Sequence, residues 1–357
     1  MDHPKYQVHV QSDFFFALKK EVFDLLGKEY KTKANKPLAV KGFLLILFFL
    51  GVLVSMWFHV FHGGMYIFLS IILGISCLPL ILNVGHESIH RNFSTHSSVN
   101  KLGEHVFYLL GTSPYFWKLR HNSSHHAFAN IKGWDLDIDQ SEIIRLSSHQ
   151  KFKRIHKYQH IYMPFAFCFY TISWFFIRDF KDIRRSHFGS KHIERHAPGE
   201  IIKLIIAKTW HITSLLVIPY VLSQDMALVL LGFLSFHLSA SIITTFALIS
   251  THVGEPQEVM DISNDKGKLP YSWAVHQLKT TADFSTNSTV MLHFFGGFNH
   301  HVAHHLFPRV PHIYYPIITP IIKKHVSKNG LCYHSNSNLF KCTISHFKRL
   351  KDLSMEV

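Results

Sequence analysis

Long stretches of uncharged, mostly apolar residues alternate along the chain with polar stretches. Residues 42–61 and 65–84 are each twenty residues long and contain no Asp, Glu, Lys or Arg, which is the length that an α-helix needs to cross a bilayer core. Because only a short turn separates them, they predict a helical hairpin. Residues 226–250 form another uncharged run, and residues 205–222 contain only Lys208. This second pair predicts a second hairpin and disfavours the alternative of buried helices in a large soluble domain.

A fifth apolar run, residues 159–177, has basic segments on both sides. In contrast, the tips of the two predicted hairpins, at 62–64 and 223–225, contain no Lys or Arg. Basic residues favour the cytosolic side of a membrane, so both flanks of the fifth run are expected there, and the run is predicted to be interfacial or re-entrant. The predicted fold class is an all-α integral membrane protein with four transmembrane helices in two hairpins and a cytosolic helical cap.

The same charge pattern divides the chain into three predicted parts. Residues 1–41 carry seven Lys between positions 19 and 41 and are expected to form a cytosolic N-terminal arm. Residues 42–322 form the membrane domain, and residues 323–357 form a basic, peripheral cytosolic tail. The net charge of +14 would suggest a nucleic-acid partner on a soluble protein. Membrane topology explains it better here, so no nucleic-acid partner is expected.

The histidine content indicates that the predicted membrane protein also binds metal ions. There are 30 His in 357 residues, more than the 18 Gly. Three clusters stand out, and all of them lie in segments predicted to be cytosolic. They contain His86 and His90; His121, His125 and His126; and His301, His304 and His305. Residues four apart share one helical face, so the first two clusters predict chelating pairs, and His126 is expected to point toward a second metal.

Two further histidines are within reach of these clusters: His252, just after the fourth run, and His276. Imidazole suits Zn, Cu, Fe and Ni, and eight or nine nitrogens are enough for two metal ions. The choice between His252 and His276 as the ninth ligand stays open. Asp135 and Asp137 follow the second cluster and are expected to orient ligating imidazoles, although a solvated acidic loop is the alternative. Supporting roles are also expected for His276 and for Asn299, which precedes the third cluster.

The four Cys include no CxxC pair, which argues against a disulfide framework, an iron-sulfur site or a Cys-based zinc finger.

At this point the chain resembles the integral-membrane fatty-acid desaturases, and in particular the bacterial acyl-lipid and acyl-CoA branch related to front-end desaturases. The resemblance covers roughly residues 40 to 320. It rests on His301-Val-Ala-His304-His305-Leu-Phe-Pro, on His121-Asn-Ser-Ser-His125-His126 and on His276-Gln-Leu-Lys-Thr-Thr.

This resemblance implies a centre of two non-haem iron ions on the cytosolic face, with His252 as an additional ligand. It implies an enzyme that uses O2 and two electrons to introduce a cis double bond into an acyl-CoA or a membrane acyl lipid. A separate electron donor, a ferredoxin or a cytochrome b5 with its reductase, is expected because no haem-binding module is recognised in the sequence. The chain departs from this branch at Glu87, usually Asp, at His301, where front-end members carry Gln, and at Ala303, often Glu.

Two other functions are considered. A hydroxylase or ketolase acting on alkyl, sphingoid or carotenoid chains would use the same histidines, because the choice between alkene and alcohol depends on atomic placement that a sequence does not reveal. A metal transporter is disfavoured because ion pathways place ionisable groups inside the membrane, whereas the clusters lie outside the apolar runs. For an acyl substrate, the aromatic segment Pro114–Trp117 is a candidate wall of the tunnel, or else ordinary core.

Overall fold

The computed structural model describes residues 3–7, 12–138, 141–249, 251–263 and 266–356, and it is mainly helical. Among the described residues, four helices are long and apolar enough to cross a membrane: Tyr30–Phe58, Gly63–Ile89, Pro198–Ser223 and Met226–Ile249. We call them the first to fourth apolar helices. They confirm the predicted all-α class. Residue 250, the predicted end of the last run, lies outside the described residues.

The apolar helices are longer than the uncharged runs that predict them. The first begins at Tyr30 rather than at residue 42, and the third begins at Pro198 rather than at residue 205. The added residues include several Lys, and Lys is a good helix former. An apolar run therefore marks the part of a helix that suits lipid, not the whole helix. The second apolar helix continues past residue 84 to Ile89, and this extension carries His86.

The second apolar helix lies at the centre of the membrane region and packs against the first and the fourth. Gly74 marks the closest approach to the fourth helix. A Cβ at Gly74 would lie 2.3 Å from the carbonyl oxygen of Phe236 and 2.2 Å from Ser239 Oγ. Small residues of this kind allow membrane helices to pack backbone against backbone, so the position requires glycine.

The fifth apolar run forms a bent pair of helical segments, Arg154–Phe167 and Tyr170–Ile183, with an angle of 82° between them. Its parts are a 3-10 turn at Arg154–Tyr158, α-helices at Gln159–Phe167, Tyr170–Ser173 and Asp179–Ile183, and a π-helical turn at Trp174–Arg178. A break of this size agrees with a broken span or a re-entrant loop. The interfacial position of the segment stays a prediction.

Short helices and two small sheets form a cap around the ends of the second and fourth apolar helices. The helices are Ser12–Leu26, Ser97–Glu104, Val106–Leu109, Pro114–Arg120, His126–Phe128, Trp273–Thr280, Thr289–Phe294, His301–Leu306, Tyr315–Lys328 and Leu339–Met355, with a 3-10 turn at His312–Tyr314. The strands His187–Phe188 and Lys191–His192 pair antiparallel, and Asp283–Phe284 pairs in parallel with Ser335–Asn336.

Helices near both ends of the described chain pack into apolar clusters, while the predicted division into an arm, a membrane domain and a peripheral tail stays a prediction. In the helix Ser12–Leu26, the buried Phe14, Leu18 and Val22 belong to the same apolar cluster as Val302 of the third histidine segment. Near the other end, Leu350 is fully buried, and His346 Nδ1 donates to the Val253 carbonyl at 2.6 Å. The predicted parts 1–41 and 323–357 contain apolar residues at helical spacing that charge alone conceals.

Candidate metal centre

In two of the three histidine segments, a π-helical turn continues an α-helix and includes His86 or His121 and His125. The second apolar helix changes to a π-helical turn at Ile81–His86, and the helix Pro114–Arg120 changes to one at His121–His125. Such wide turns inside α-helices are rare and are frequent at functional sites. In the second segment, the backbone N–H of His126 donates to the carbonyl of His121. The rings of His121 and His126, five residues apart, are therefore closer together than those of His121 and His125, with centroid distances of 4.5 Å and 5.6 Å.

A first group of imidazoles consists of His86, His90, His121 and His304. Their candidate ligand nitrogens all lie within 4.8 Å of one another, and all four residues are buried. His121 Nε2 is at the centre of the group. It lies 2.9 Å from the Nε2 atom of His86 and 3.1 Å from that of His90.

A second group consists of His125, His252, His301 and His305, again buried and with ligand nitrogens within 4.8 Å of one another. His301 Nε2 lies 2.6 Å from His252 Nε2. The rings of His125 and His305 are 5.0 Å apart, centroid to centroid. His252 therefore belongs to this group and His276 does not, while the role of His252 as a ligand stays a prediction.

His126 lies between the two groups. Its Nε2 atom is 3.1 Å from His121 Nε2, and its ring centroid is 4.6 Å from that of His304 and 4.5 Å from that of His305. His121 has its shortest contact in this segment with His126, because the π-helical turn replaces the i, i+4 register by i, i+5. The predicted pair His121 and His125 is also within reach of one ion, since their ligand nitrogens and an Asp137 carboxylate oxygen lie within 4.8 Å of one another.

The donor set fits metal ions. Burial, together with the charges of neighbouring imidazoles, lowers the pKa of several of these histidines well below its ordinary value, so they are neutral, as metal ligands must be. This applies to His121, His126, His252, His301, His304 and His305. Two nitrogens bound at right angles, each about 2.0–2.1 Å from one ion, are about 3 Å apart, which agrees with the contacts of His121. The Nε2 atoms of His304 and His305 are buried without a hydrogen-bond partner among the described residues, as expected for atoms that bind a metal.

In the second group, three of the four imidazoles donate a hydrogen bond from Nδ1 to an acceptor outside the group, which we call an outer contact. His125 Nδ1 donates to Asp135 at 3.1 Å, His252 Nδ1 to the Thr280 carbonyl at 3.0 Å, and His305 Nδ1 to Gln277 Oε1 at 2.7 Å. Such contacts direct Nε2 of each ring toward the centre of the group and strengthen it as a ligand. In the first group, the Tyr315 hydroxyl lies 3.3 Å from His304 Nδ1.

The predicted supporting residues have different positions. Asp135 is fully buried and contacts His125 directly. Asp137 Oδ2 is 3.9 Å from His125 Nδ1, and its other oxygen accepts from Arg178. Burial opposes its ionisation, but the charge of Arg178 lowers the pKa of Asp137 to about 2. Asp139 of the same loop lies outside the described residues.

His276 and Asn299 do not contact either group. His276 Nε2 bonds to the Ala129 carbonyl at 2.7 Å, and Asn299 Nδ2 donates to the Ser285 carbonyl at 3.2 Å. Both hold the backbone around the histidine segments. Sequence reasoning missed Gln277 and Tyr315. The motif that begins at His276 was the available signal for Gln277, but it was interpreted as evidence for a role of the His276 imidazole.

A cavity of about 480 Å³ borders both groups. His86, His121, His125 and His252 line it together with apolar residues such as Ile144, Met163, Phe167 and Ile249. Arg178, Lys181 and Arg185 line another part of the same cavity. Within the predicted segment Pro114–Trp117, Trp117 lines the cavity and Phe116 belongs to the core. The centre therefore faces a space that suits an apolar chain with a polar end.

Comparison with known proteins agrees with this arrangement. A family model described as "Fatty acid desaturase" matches residues 63–337. Similar proteins include the sn-1 linoleoyl-lipid 6-desaturase of Arthrospira platensis, 27% identical over 93% of this chain and 89% of that protein, and the enzyme of the same name from Synechocystis sp., 29% identical over 73% of each chain. The probable Delta(5) fatty acid desaturase C of Dictyostelium discoideum is 29% identical over 99% of this chain and 78% of that protein. The resemblance predicted from the histidine motifs is confirmed, and the chain belongs to the fatty acid desaturase family.

Proposed function

We propose that this fatty acid desaturase acts on acyl chains of membrane lipids and holds two non-haem iron ions in its two histidine groups. One observation carries the proposal: nine buried histidines from four segments of the chain converge beside a cavity that is largely apolar. The similar proteins named as lipid desaturases support a lipid-linked substrate. An acyl-CoA substrate is the alternative that the same cavity would accept.

The iron ligands follow from the two groups. His86, His90, His121 and His304 would hold one ion and His125, His252, His301 and His305 the other, with His126 between them as an additional ligand. When bound, the two irons supply the oxidising chemistry with O2 that removes two hydrogens from an unactivated chain, which no acid or base side chain can do. The outer contacts of Asp135, Gln277 and the Thr280 carbonyl keep three imidazoles in one orientation throughout turnover.

The cavity binds and orients the chain. Its apolar residues, including Met163, Phe167 and Ile249, exclude water from the side of the histidines on which the acyl chain would lie. The polar end of the substrate would contact Lys181 or Arg185, because Arg178 is already paired with Asp137.

Electrons must come from outside the substrate. Reduction of O2 to two waters takes four electrons, and removal of two hydrogens from the chain supplies only two. We propose that a separate carrier of the ferredoxin or cytochrome b5 type, with its reductase, supplies the other two. The basic segments around the histidine clusters support an active site on the cytosolic face under the positive-inside rule.

The experiment is expression in a host of known lipid composition, followed by mass spectrometry of its acyl chains. The proposal predicts a new set of chains that have lost two hydrogens, and the fragment masses give the position of the double bond. Cells that express His304→Ala serve as the control and should lack these chains. Chains that gain one oxygen instead would identify a hydroxylase and contradict the proposal.

A further inference from the structure

A second, smaller cavity lies behind the first one, between the membrane helices. Its volume is about 100 Å³, and it is lined by residues of the second and fourth apolar helices, among them Cys77, Leu78, Phe236 and Ala240. Four residues line both cavities: Leu82, Trp117, Trp174 and Leu248. These four side chains are the wall between the substrate cavity and further space in the membrane interior.

Two stacked indoles form the main part of this wall. The rings of Trp117 and Trp174 are parallel within 2°, and their centroids are 5.0 Å apart. Trp174 is fixed from its other side, because its Nε1 donates to Asp179 at 2.9 Å and the Arg178 guanidinium lies 4.2 Å from its ring centroid. Arg178, which also lines the first cavity, therefore helps to hold the wall in place.

Trp117 has no comparable polar anchor in the part of the chain that the structure describes. Its Nε1 is buried without a hydrogen-bond partner, although a buried indole N–H usually finds one. Its ring lies against Phe107 on one side of the stack and 5.7 Å from the ring of His121. Because its N–H group donates no hydrogen bond there, we expect Trp117 to act through the volume that its ring occupies beside the metal centre.

We infer that the Trp117–Trp174 stack ends the acyl-binding cavity and limits how many carbons can lie beyond the reacting position. The inference rests on the proposed function, in that the acyl chain must bind in the first cavity. The methyl end is the apolar end of the substrate, and the second cavity is an apolar extension toward the membrane interior. The stack closes that extension.

The size of the effect follows from the volumes. The second cavity alone corresponds to about three water-sized volumes of roughly 30 Å³ each, and removal of the Trp117 indole adds more. Room for two further methylene groups is therefore available. Each buried methylene changes binding by about fourfold, so two should favour the longer substrate by about fifteenfold in kcat/KM.

The test uses Trp117→Ala, Ala240→Leu and the double variant, each given an equimolar mixture of the preferred substrate and its homologues that are two and four carbons longer. Trp117→Ala should raise the ratio of long to preferred products by about fifteenfold. Ala240 lines only the second cavity, so Ala240→Leu alone should leave the ratio and the activity unchanged. The double variant should return the ratio toward the wild-type value, because the leucine fills the space that was opened.

An unchanged ratio in an active Trp117→Ala variant would overturn the inference, as would a double variant that keeps the long products. If Trp117→Ala binds iron but is inactive, Trp174→Ala opens the same wall from the other side. Inactivity of both variants with iron retained would also overturn it, because the stack would then be needed for turnover itself. Absence of double bonds with the wild-type enzyme would instead contradict the proposed function.

Discussion

Asp135 offers the sharpest test of the outer contacts of the metal centre. Its carboxylate is fully buried and accepts three hydrogen bonds: from His125 Nδ1 at 3.1 Å, from the Asn130 backbone at 2.8 Å and from the Asp137 backbone at 2.8 Å. Burial opposes protonation of His125, yet Asp135 raises the pKa of this imidazole above its ordinary value. The carboxylate therefore makes His125 a stronger ligand.

The substitution Asp135→Asn keeps the shape and removes the charge. The amide has one acceptor oxygen for three donors on two sides, so at least one N–H loses its partner, and the bond to His125 is no longer charge-assisted. Loss of such an outer contact typically lowers metal affinity about 10- to 100-fold, which is about 1.4–2.7 kcal/mol. The loss should be confined to the group that contains His125.

The assay measures iron per chain during titration with a ferrous chelator. Wild-type protein should release both irons at similar chelator concentrations. Asp135→Asn should lose one iron per chain at a chelator concentration about 10- to 100-fold lower and keep the other. Asp261→Asn is the matched control, because Asp261 pairs with Lys132 away from the histidine groups. Wild-type titration behaviour in Asp135→Asn, at unchanged folding, would refute the reasoning.

Three further outcomes are expected. His301→Gln should keep detectable desaturation, because an amide oxygen can replace this ligand, whereas His304→Ala and His305→Ala should lose both iron and activity at unchanged expression; full activity of either Ala variant would contradict the assigned roles. Purified enzyme given O2 and NADPH alone should be inert and should turn over once a ferredoxin or a cytochrome b5 with its reductase is added, so carrier-free turnover would show the electron supply to be wrong. A cysteine placed near residue 190 should resist labelling by a membrane-impermeant reagent added to intact cells, and labelling from outside would refute the four-crossing topology.

Features encoded by local spacing could be predicted from the sequence. Each apolar run is read from adjacent residues; four of them form long helices, and the fifth forms a bent pair of helical segments. The histidine clusters were predictable for the same reason, because their members lie within a few positions of one another, as His86 and His90 do. His252 could be added only because it follows directly after an apolar run.

The division of these histidines between two groups could not be predicted. It depends on the π-helical turn His121–His125, which brings His121 beside His126, and a hydrophobic pattern contains no signal for a turn of that width. The residues that make outer contacts with these imidazoles were missed for a different reason. Gln277 and Tyr315 reach their imidazoles through the packing of helices that are distant along the chain, and their side chains have no distinctive spacing of their own.

The N-terminal helix shows how charge can conceal packing. Lys19 and Lys20 contribute to the basic character that predicts a cytosolic arm, but Phe14 and Leu18 on another face of the same helix are buried. A basic face and an apolar face are compatible in one amphipathic helix. Average charge over a segment therefore indicates the side of the membrane and not whether the segment packs.

X-ray anomalous scattering at the iron edge, measured on crystals of active enzyme, tests the central claim most directly. The account predicts two anomalous peaks that appear at the iron edge and not below it. One peak should lie among His86, His90, His121 and His304, and the other among His125, His252, His301 and His305. A single peak, peaks outside these histidines, or full occupancy by zinc in active protein would contradict the claim.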